Sequence, residues 1–215
     1  MIRIQNIPLP VGGGEAQLKK KVARILGVKP DAVVRLSLAR QSIDARKKSD
    51  VHYVCTVDVT VADEAGVMAR CRDKNVSLHQ NTPYVFPPVR RTSSLPPVVV
   101  GMGPAGLFAA LYLARSGVSS IVLERGRPVE ERTADVERFW STGVLNPASN
   151  VQFGEGGAGT FSDGKLTTGI HDSRITTVLE SLHAAGAPED ILYQHKPPTG
   201  TAVLRDVVKT IRLEL

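Results

Sequence analysis

Hydrophobic and polar residues alternate in some parts of this chain and recur at helical spacing in others. The alternating, β-branched stretches predict four strands in the first part, at residues 2–9, 32–44, 51–61 and 75–80. Helical spacing predicts two helices, at residues 14–27 and 62–74. This β-α-β-β-α-β order predicts a small α+β domain of the ferredoxin-like type over residues 1–90.

The pattern changes after Pro97. Three consecutive valines, Val98 to Val100, predict a buried strand, which a glycine-rich turn, an apolar helix and a second short strand, SIVLE, follow. The inner face of that helix holds Leu107, Ala110, Leu111 and Ala114. Strand, helix and strand in this order predict a Rossmann-type α/β domain over residues 98–215.

Two later stretches also have helical spacing. Residues 129–140, VEERTADVERFW, predict an amphipathic helix whose charged side chains we expect in solvent. Residues 201–215 predict another, with Leu204, Val207, Val208, Ile211 and Leu215 on one side. No strand follows this last helix, so we expect the Rossmann-type domain to be incomplete and the sequence to be a fragment.

Charge divides the chain at the same place as the pattern. Residues 1–95 carry 16 Lys/Arg and 8 Asp/Glu (net +8), and residues 96–215 carry 11 and 13 (net −2), which together make the net +6. The segment RRTSSLPP joins the two parts. We therefore expect a basic domain at 1–90, a linker at 91–97 and a second domain at 98–215.

The basic clusters of the first domain, KKK at 19–21 and ARKK at 45–48, leave three interpretations open. The basic residues bind a polyanion, form a surface for protein interaction, or lie in solvent on a helix face and in a turn. No aromatic residues interleave with them to stack on bases, so the pattern disfavours nucleic acid as a partner.

The glycine-rich turn predicts a phosphate site. Gly101 permits a tight turn out of the strand, Gly103 lets backbone N–H groups approach a pyrophosphate at the helix N-terminus, and Gly106 permits close helix packing. Pro104 and Ala105 complete the G-x-G-x-x-G turn. Glu124 closes the second strand, where an acid accepts hydrogen bonds from a ribose. These features alone leave FAD and NAD as alternatives. Glu124 argues against binding of the 2′-phosphate of NADP, and only the adjacent Arg125 favours it.

Three stretches, VVVGMGPAGLFAALYLARSG, LERG and FGEGGAGTFSDGKL, resemble the uncharacterised bacterial FAD-dependent dehydrogenases, also described as NAD(FAD)-utilising dehydrogenases. The resemblance covers nearly all of residues 96–215. It implies FAD as cofactor, extended across a Rossmann-type domain with its pyrophosphate on the first glycine turn. It also implies a small-molecule substrate, and it leaves NAD(P)H open as the hydride donor, which no feature of the sequence shows.

The resemblance gives a role to the second glycine-rich segment, residues 150–169. We expect its backbone to pass beside FAD, with cofactor contacts from Gly156, Gly157, Ala158, Gly159 and Ser162. Asp163 and Lys165 are further polar groups there, which serve either flavin contacts or a turn. A flexible surface loop is the alternative, against which the apolar residues Phe153 and Phe161 argue.

Other chemistry finds little support in the sequence. The two cysteines, Cys55 and Cys71, precede the second domain, which excludes a redox cysteine pair beside the flavin there. His171, His183 and His195 match no metal spacing, and we assign neither a metal site nor catalytic residues. No apolar run reaches the roughly 20 residues of a membrane span and no secretory signal is visible, so we expect a cytoplasmic protein.

Two functions therefore stand at this stage. The first is the FAD-binding part of an FAD-dependent oxidoreductase, which is catalytically competent only as a longer chain. The second is a non-enzymatic nucleotide-binding or interaction module.

Overall fold

The structure is a computed structural model that describes residues 1–162, 168–170, 172–194 and 200–215. The chain divides into two compact units. Unit 1 comprises Met1–Thr82 with Leu192–His195, and unit 2 comprises Pro83–Ile191 with Lys196–Leu215. The predicted domain bounds at 90 and 98 remain a prediction.

Unit 1 is a four-stranded antiparallel sheet with two helices. Its strands are β1 (Ile2–Pro10), β2 (Val33–Asp44), β3 (His52–Val61) and β4 (Val76–Leu78), and its helices are α1 (Glu15–Leu26) and α2 (Glu64–Arg70), with a short 3-10 helix at Pro30–Ala32. The strand order in the sheet is β2-β3-β1-β4, with each neighbouring pair antiparallel. Along the chain the order is β1-α1-β2-β3-α2-β4, which is the predicted β-α-β-β-α-β order.

A bulge in β1 keeps its apolar side chains on the core side. Ile2 and Ile4 are buried at even positions, and Ile7 and Leu9 at odd ones, which simple alternation does not allow. The register against β3 shifts between Ile4 and Ile7, where Asn6 has a φ of +57°. The extra residue restores the inward direction of Ile7, and asparagine tolerates this backbone conformation.

Unit 2 begins with a short parallel pair of strands, β5 (Val98–Val100) and β6 (Ile121–Leu123). Its helices are α3 (Pro104–Arg115), α4 (Val129–Thr142), α5 (Arg174–Ala184) and α6 (Thr201–Glu214), with 3-10 helices at Ala158–Phe161 and Glu189–Leu192. Helix α3 connects the two strands and buries Leu107, Ala110 and Leu111. The predicted amphipathic helix at residues 201–215 is confirmed, because α6 buries Leu204, Val207, Val208 and Ile211. Leu215 lies beyond its end and is 43% exposed, so its predicted place on the apolar side is wrong.

The prediction that β5 is a buried strand is wrong for two of its three valines. Val98 is 55% exposed and Val100 is 81% exposed. Side chains alternate across a strand, and Val99 is the residue whose methyl group lies beside Gly106 of α3. Val98 and Val100 therefore face the opposite side with their partners Ile121 and Leu123, which are also exposed in the part of the chain that the structure describes.

A search for membrane-crossing segments found no helix of sufficient length and apolarity among the described residues.

The segment that precedes β5 is exposed and has no regular structure at residues 87–95. Before it, Phe86 lies against Tyr112 of α3, with ring centroids 4.1 Å apart.

Because residues 87–95 are exposed and irregular, we expect trypsin to cut the native chain first after Arg90 or Arg91, and to leave two fragments that keep their circular dichroism. In the variant R90Q/R91Q this cut should disappear. A first cut inside the polar turn at 45–50, with residues 87–95 protected, would contradict two separable domains.

Candidate functional site

The first glycine turn lies where β5 ends and α3 begins. Gly101 has a φ of +92°, and its N–H donates to the carbonyl of Leu123 at 2.6 Å, which ties the turn to the end of β6. Gly103 precedes the first residue of α3, and a Cβ on Gly106 would lie directly against the carbonyl oxygen of Gly101. The turn therefore packs too closely for a side chain at Gly106, and the N-terminus of α3 is left facing the strand ends.

Glu124 holds this turn from the end of β6. Its Oε2 accepts a hydrogen bond from the N–H of Met102 at 2.6 Å, and its Oε1 accepts one from the N–H of Gly126 at 2.8 Å. A carboxylate has about four acceptor positions, so these two bonds leave room for hydroxyl donors of a ligand. The acid thus stabilises the turn in addition to the ribose role that its position predicts.

The second glycine-rich segment lies against the first turn. The N–H of Gly156 donates to the carbonyl of Met102 at 2.8 Å. A Cβ on Gly157, whose φ is +70°, would lie 2.9 Å from Cδ of Pro104 and 3.4 Å from Cα of Gly103. A side chain at Gly157 would therefore fill the space beside the N-terminus of α3.

The two segments line an open cavity of about 310 Å³ within unit 2, which is at the lower end of the range for ligand pockets. Its lining includes five of the predicted site residues: Gly101, Gly103, Glu124, Arg125 and Gly157. Phe153 also lines it, and the guanidinium carbon of Arg125 lies 4.7 Å from the centre of that ring. The cavity thus combines backbone at a helix N-terminus, a carboxylate and a planar cation.

The other predicted site residues do not line this cavity: Pro104, Ala105, Gly106, Gly156, Ala158, Gly159 and Ser162. The Cβ position of Gly156 faces Thr160 and Val208, so this glycine serves packing against α6. The hydroxyl of Ser162 donates to the carbonyl of Gly159 at 3.1 Å. Asp163, Lys165, His171 and His195 lie outside the described residues, while His183 Nδ1 lies 2.7 Å from the carbonyl oxygen of Ala187.

The expectation that the charges of α4 are solvated is wrong for two residues, because Arg132 and Asp135 are both buried. Arg132 is 0% exposed and was not predicted as part of the site. Its side chain reaches into the second glycine-rich segment, where it donates to backbone carbonyls. The sequence signal for it is weak, since an arginine directly after two acidic residues, Glu130 and Glu131, is typical of an exposed helix face.

Glu155 is a second buried charge beside the site, with 1% exposure. Its Oε2 accepts from the N–H of Val129 at 2.6 Å, and its Oε1 lies 2.9 Å from Nε of Arg212 on α6, an ion pair without hydrogen-bond geometry. Burial raises the pKa of the Glu155 carboxyl, although the Val129 N–H and Arg212 oppose this. Arg212 also pairs with Glu130 at 2.7 Å, so α6 is held to the start of α4.

This arrangement suits the binding of an anionic, phosphate-containing ligand. Backbone N–H groups at a helix N-terminus favour phosphate oxygens, and the glycines allow the ligand to approach the backbone. Among the described residues no cluster of three or more His, Cys, Asp or Glu side chains is placed to hold a metal ion.

Comparison with known protein families matches two separate stretches. Residues 95–135 match the family described as "FAD binding domain", and residues 1–60 match a "Domain of unknown function (DUF8436)". The first match contains β5, the glycine turn, α3, β6 and Glu124. The chain therefore carries a region similar to FAD-binding domains.

Two curated proteins extend this comparison. An "Uncharacterized protein" of Clostridium beijerinckii is 46% identical over 223 residues, which is 100% of this chain and 40% of that protein. This chain thus spans about 40% of the length of that relative. A "Thioredoxin reductase" of Bacillus subtilis is 41% identical over 44 residues, 20% of this chain and 14% of the reductase. The similarities support a flavin-dependent oxidoreductase-type region.

The packing at Gly106 yields a direct test. Alanine is the better helix former by about 1 kcal/mol, yet we expect Gly106→Ala to lower the free energy of unfolding by about 1–3 kcal/mol because its Cβ meets the Gly101 carbonyl. In the control Gly159→Ala the new Cβ has nothing within 4 Å, so we expect a change of at most about 0.5 kcal/mol in urea unfolding. A Gly106→Ala variant as stable as Gly159→Ala would contradict the close approach.

The buried carboxyl of Glu155 predicts a pH dependence. Its pKa in the folded chain lies above the ordinary value of 4.5, so the ionised form costs stability as pH rises through and above 4.5. Glu155→Gln removes this titration and keeps an oxygen for the Val129 N–H. We therefore expect the stability of Glu155→Gln, relative to the parent, to improve as pH rises from about 4.5 to about 7.

Urea unfolding monitored by circular dichroism at several pH values measures this difference. The exposed Glu131 on α4 provides the control Glu131→Gln, which leaves the Glu155 carboxyl in place and should therefore keep the pH dependence of the parent. A difference for Glu155→Gln that is flat or falls with pH would show that burial does not dominate this carboxyl.

Proposed function

We propose that unit 2 binds FAD and forms the cofactor-binding part of a flavin-dependent oxidoreductase. One observation carries the proposal: a single cavity is lined by the first glycine turn, the second glycine-rich segment, Glu124 and Arg125. The family match at residues 95–135 supports FAD as the nucleotide.

The residues present fit such a cofactor. The N-terminus of α3 with Gly101 and Gly103 would bind the pyrophosphate, and Glu124 would accept hydrogen bonds from the ribose. Gly157 keeps the space beside Pro104 free of a side chain, so that backbone can approach the cofactor. Arg125, already stacked on Phe153, offers a planar surface for a ring. Bound FAD would supply the electron-transfer chemistry.

The same proposal includes a ferredoxin-like fold for unit 1 and a Rossmann-type fold for unit 2. The sheet order β2-β3-β1-β4 supports a ferredoxin-like fold for unit 1, and the β5-α3-β6 unit supports a Rossmann-type domain. The glycine turn and Glu124 suit either nucleotide, and the family match supports FAD and not NAD(P)H. The sequence has no cysteine after Cys71, so it supports no redox cysteine pair in unit 2. A substrate and a cytoplasmic location stay predictions.

Reconstitution tests the proposal. The purified chain is incubated with excess FAD, desalted, and examined for the visible absorption of oxidised flavin at a defined stoichiometry. Retention of one FAD per chain supports the proposal. Binding of ADP without retention of FAD would favour a nucleotide-binding module, and binding of neither would reject the site.

Glu124→Gln tests the ribose contact within this site. We expect it to weaken FAD binding by about 1.5–3 kcal/mol, the range for hydrogen bonds to a charged group, measured by the quenching of flavin fluorescence. The control Glu131→Gln, an exposed acid on α4, should bind as the parent does. Because Glu124 also holds the N–H groups of Met102 and Gly126, the melting temperature of each apoprotein is measured beside the affinity. An unchanged affinity would restrict Glu124 to the turn.

A further inference from the structure

Arg132 makes an unusual set of contacts for a buried charge. Its guanidinium donates five hydrogen bonds, all to backbone carbonyls of residues 150–157. The acceptors and distances are Asn150 at 2.9 Å, Val151 at 3.0 Å, Gly154 at 3.4 Å, Glu155 at 2.6 Å and Gly157 at 2.9 Å. The guanidinium carbon also lies 4.6 Å from the ring centre of Phe161. Residues 150–157 of the second glycine-rich segment thus surround one side chain.

We propose that Arg132 is the positioning residue of the cofactor cavity, which sets the backbone of the second glycine-rich segment for contact with the anionic part of FAD. This inference rests on the proposed function. Arg132 acts through Gly154 and Gly157, both of which line the cavity, and through Glu155 between them.

The orientation of the peptide groups explains how it acts. In a trans peptide the carbonyl and the following N–H point to opposite sides. The carbonyl of Gly157 accepts from Arg132, so the N–H of Ala158 is directed away from the guanidinium. Likewise the carbonyl of Glu155 accepts from Arg132, and the N–H of Gly156 on the same peptide donates to Met102 of the first turn. Arg132 therefore fixes the two segments against each other.

Charge adds to this geometry. Arginine stays protonated in proteins, although burial lowers the pKa of Arg132 while Glu124 and Glu155 raise it. A cation directly behind a glycine-rich backbone favours an anion in front of it, since little water screens the two. Lysine would keep the charge but has a single nitrogen, which cannot reach carbonyls spread over eight residues.

The test compares Arg132→Lys with Arg138→Lys, its exposed counterpart on α4, in the full chain. The melting temperature of each apoprotein is measured first. The affinity for FAD and the visible circular dichroism of the bound flavin are then measured well below that temperature. We expect Arg132→Lys to raise the dissociation constant about tenfold or more and to change the flavin spectrum, on the scale of substitutions that support a site indirectly. Arg138→Lys should match the parent in both.

The outcomes separate the two proposals. A parent chain that binds no FAD rejects the proposed function, whatever the variant does. A parent that binds FAD, with Arg132→Lys equal to it in affinity and flavin spectrum, overturns the positioning role even if the variant melts earlier. Should Arg132→Lys not fold, Phe161→Leu removes the ring under the guanidinium and keeps its donors. A weaker affinity with a changed spectrum then supports the inference, and parental values overturn it.

Discussion

The buried guanidinium of Arg132 is the interaction on which the candidate site depends. A segment with glycines at 154, 156 and 157 has little stiffness of its own, because glycine loses more freedom on folding than other residues. Glycines have no side chains that could fix this backbone by packing. The hydrogen bonds from five backbone carbonyls to the guanidinium of Arg132 fix it instead. An isolated buried charge is costly, so its hydrogen bonds must be satisfied, and here the backbone satisfies them.

A second set of charges connects this segment to the last helix. Glu155 lies within the glycine-rich segment and next to Arg212 of α6, and Glu130 at the start of α4 pairs with Arg212 and, at 3.2 Å, with Lys209. Ion pairs at the surface contribute little to the free energy of unfolding. The pair between Glu155 and Arg212 is shielded from water, so removal of one partner would leave the other as a buried charge without its partner. The site thus depends on α6, although no residue of that helix lines the cavity.

Glu124 shows why the sequence could predict part of the site. The end of a strand after a G-x-G-x-x-G turn brings an acid beside that turn in any parallel β-α-β unit, and β5 and β6 do place it there. The same reasoning predicted Gly101, Gly103 and Arg125 as site residues, and all three line the cavity. For the second segment a glycine pattern indicates only that side chains are excluded. It does not distinguish a glycine that lines a cavity, such as Gly157, from one that packs against a helix, such as Gly156.

Local pattern by itself determined the order of the strands and of helices α1 to α4 and α6, but not α5, together with the amphipathic face of α6 and the glycine turn, because these depend on spacing between near neighbours. Only the tertiary structure decided whether residues whose partners are distant in sequence are buried or exposed. Val98 and Val100 are exposed because helix α3 covers the other face of the strand pair. Arg132 is buried because a segment some twenty residues later folds around it. Helix α4 has the same periodicity as an exposed helix. Only the packing of residues 150–157 against it makes Arg132 a buried, hydrogen-bonded charge instead of a solvated one.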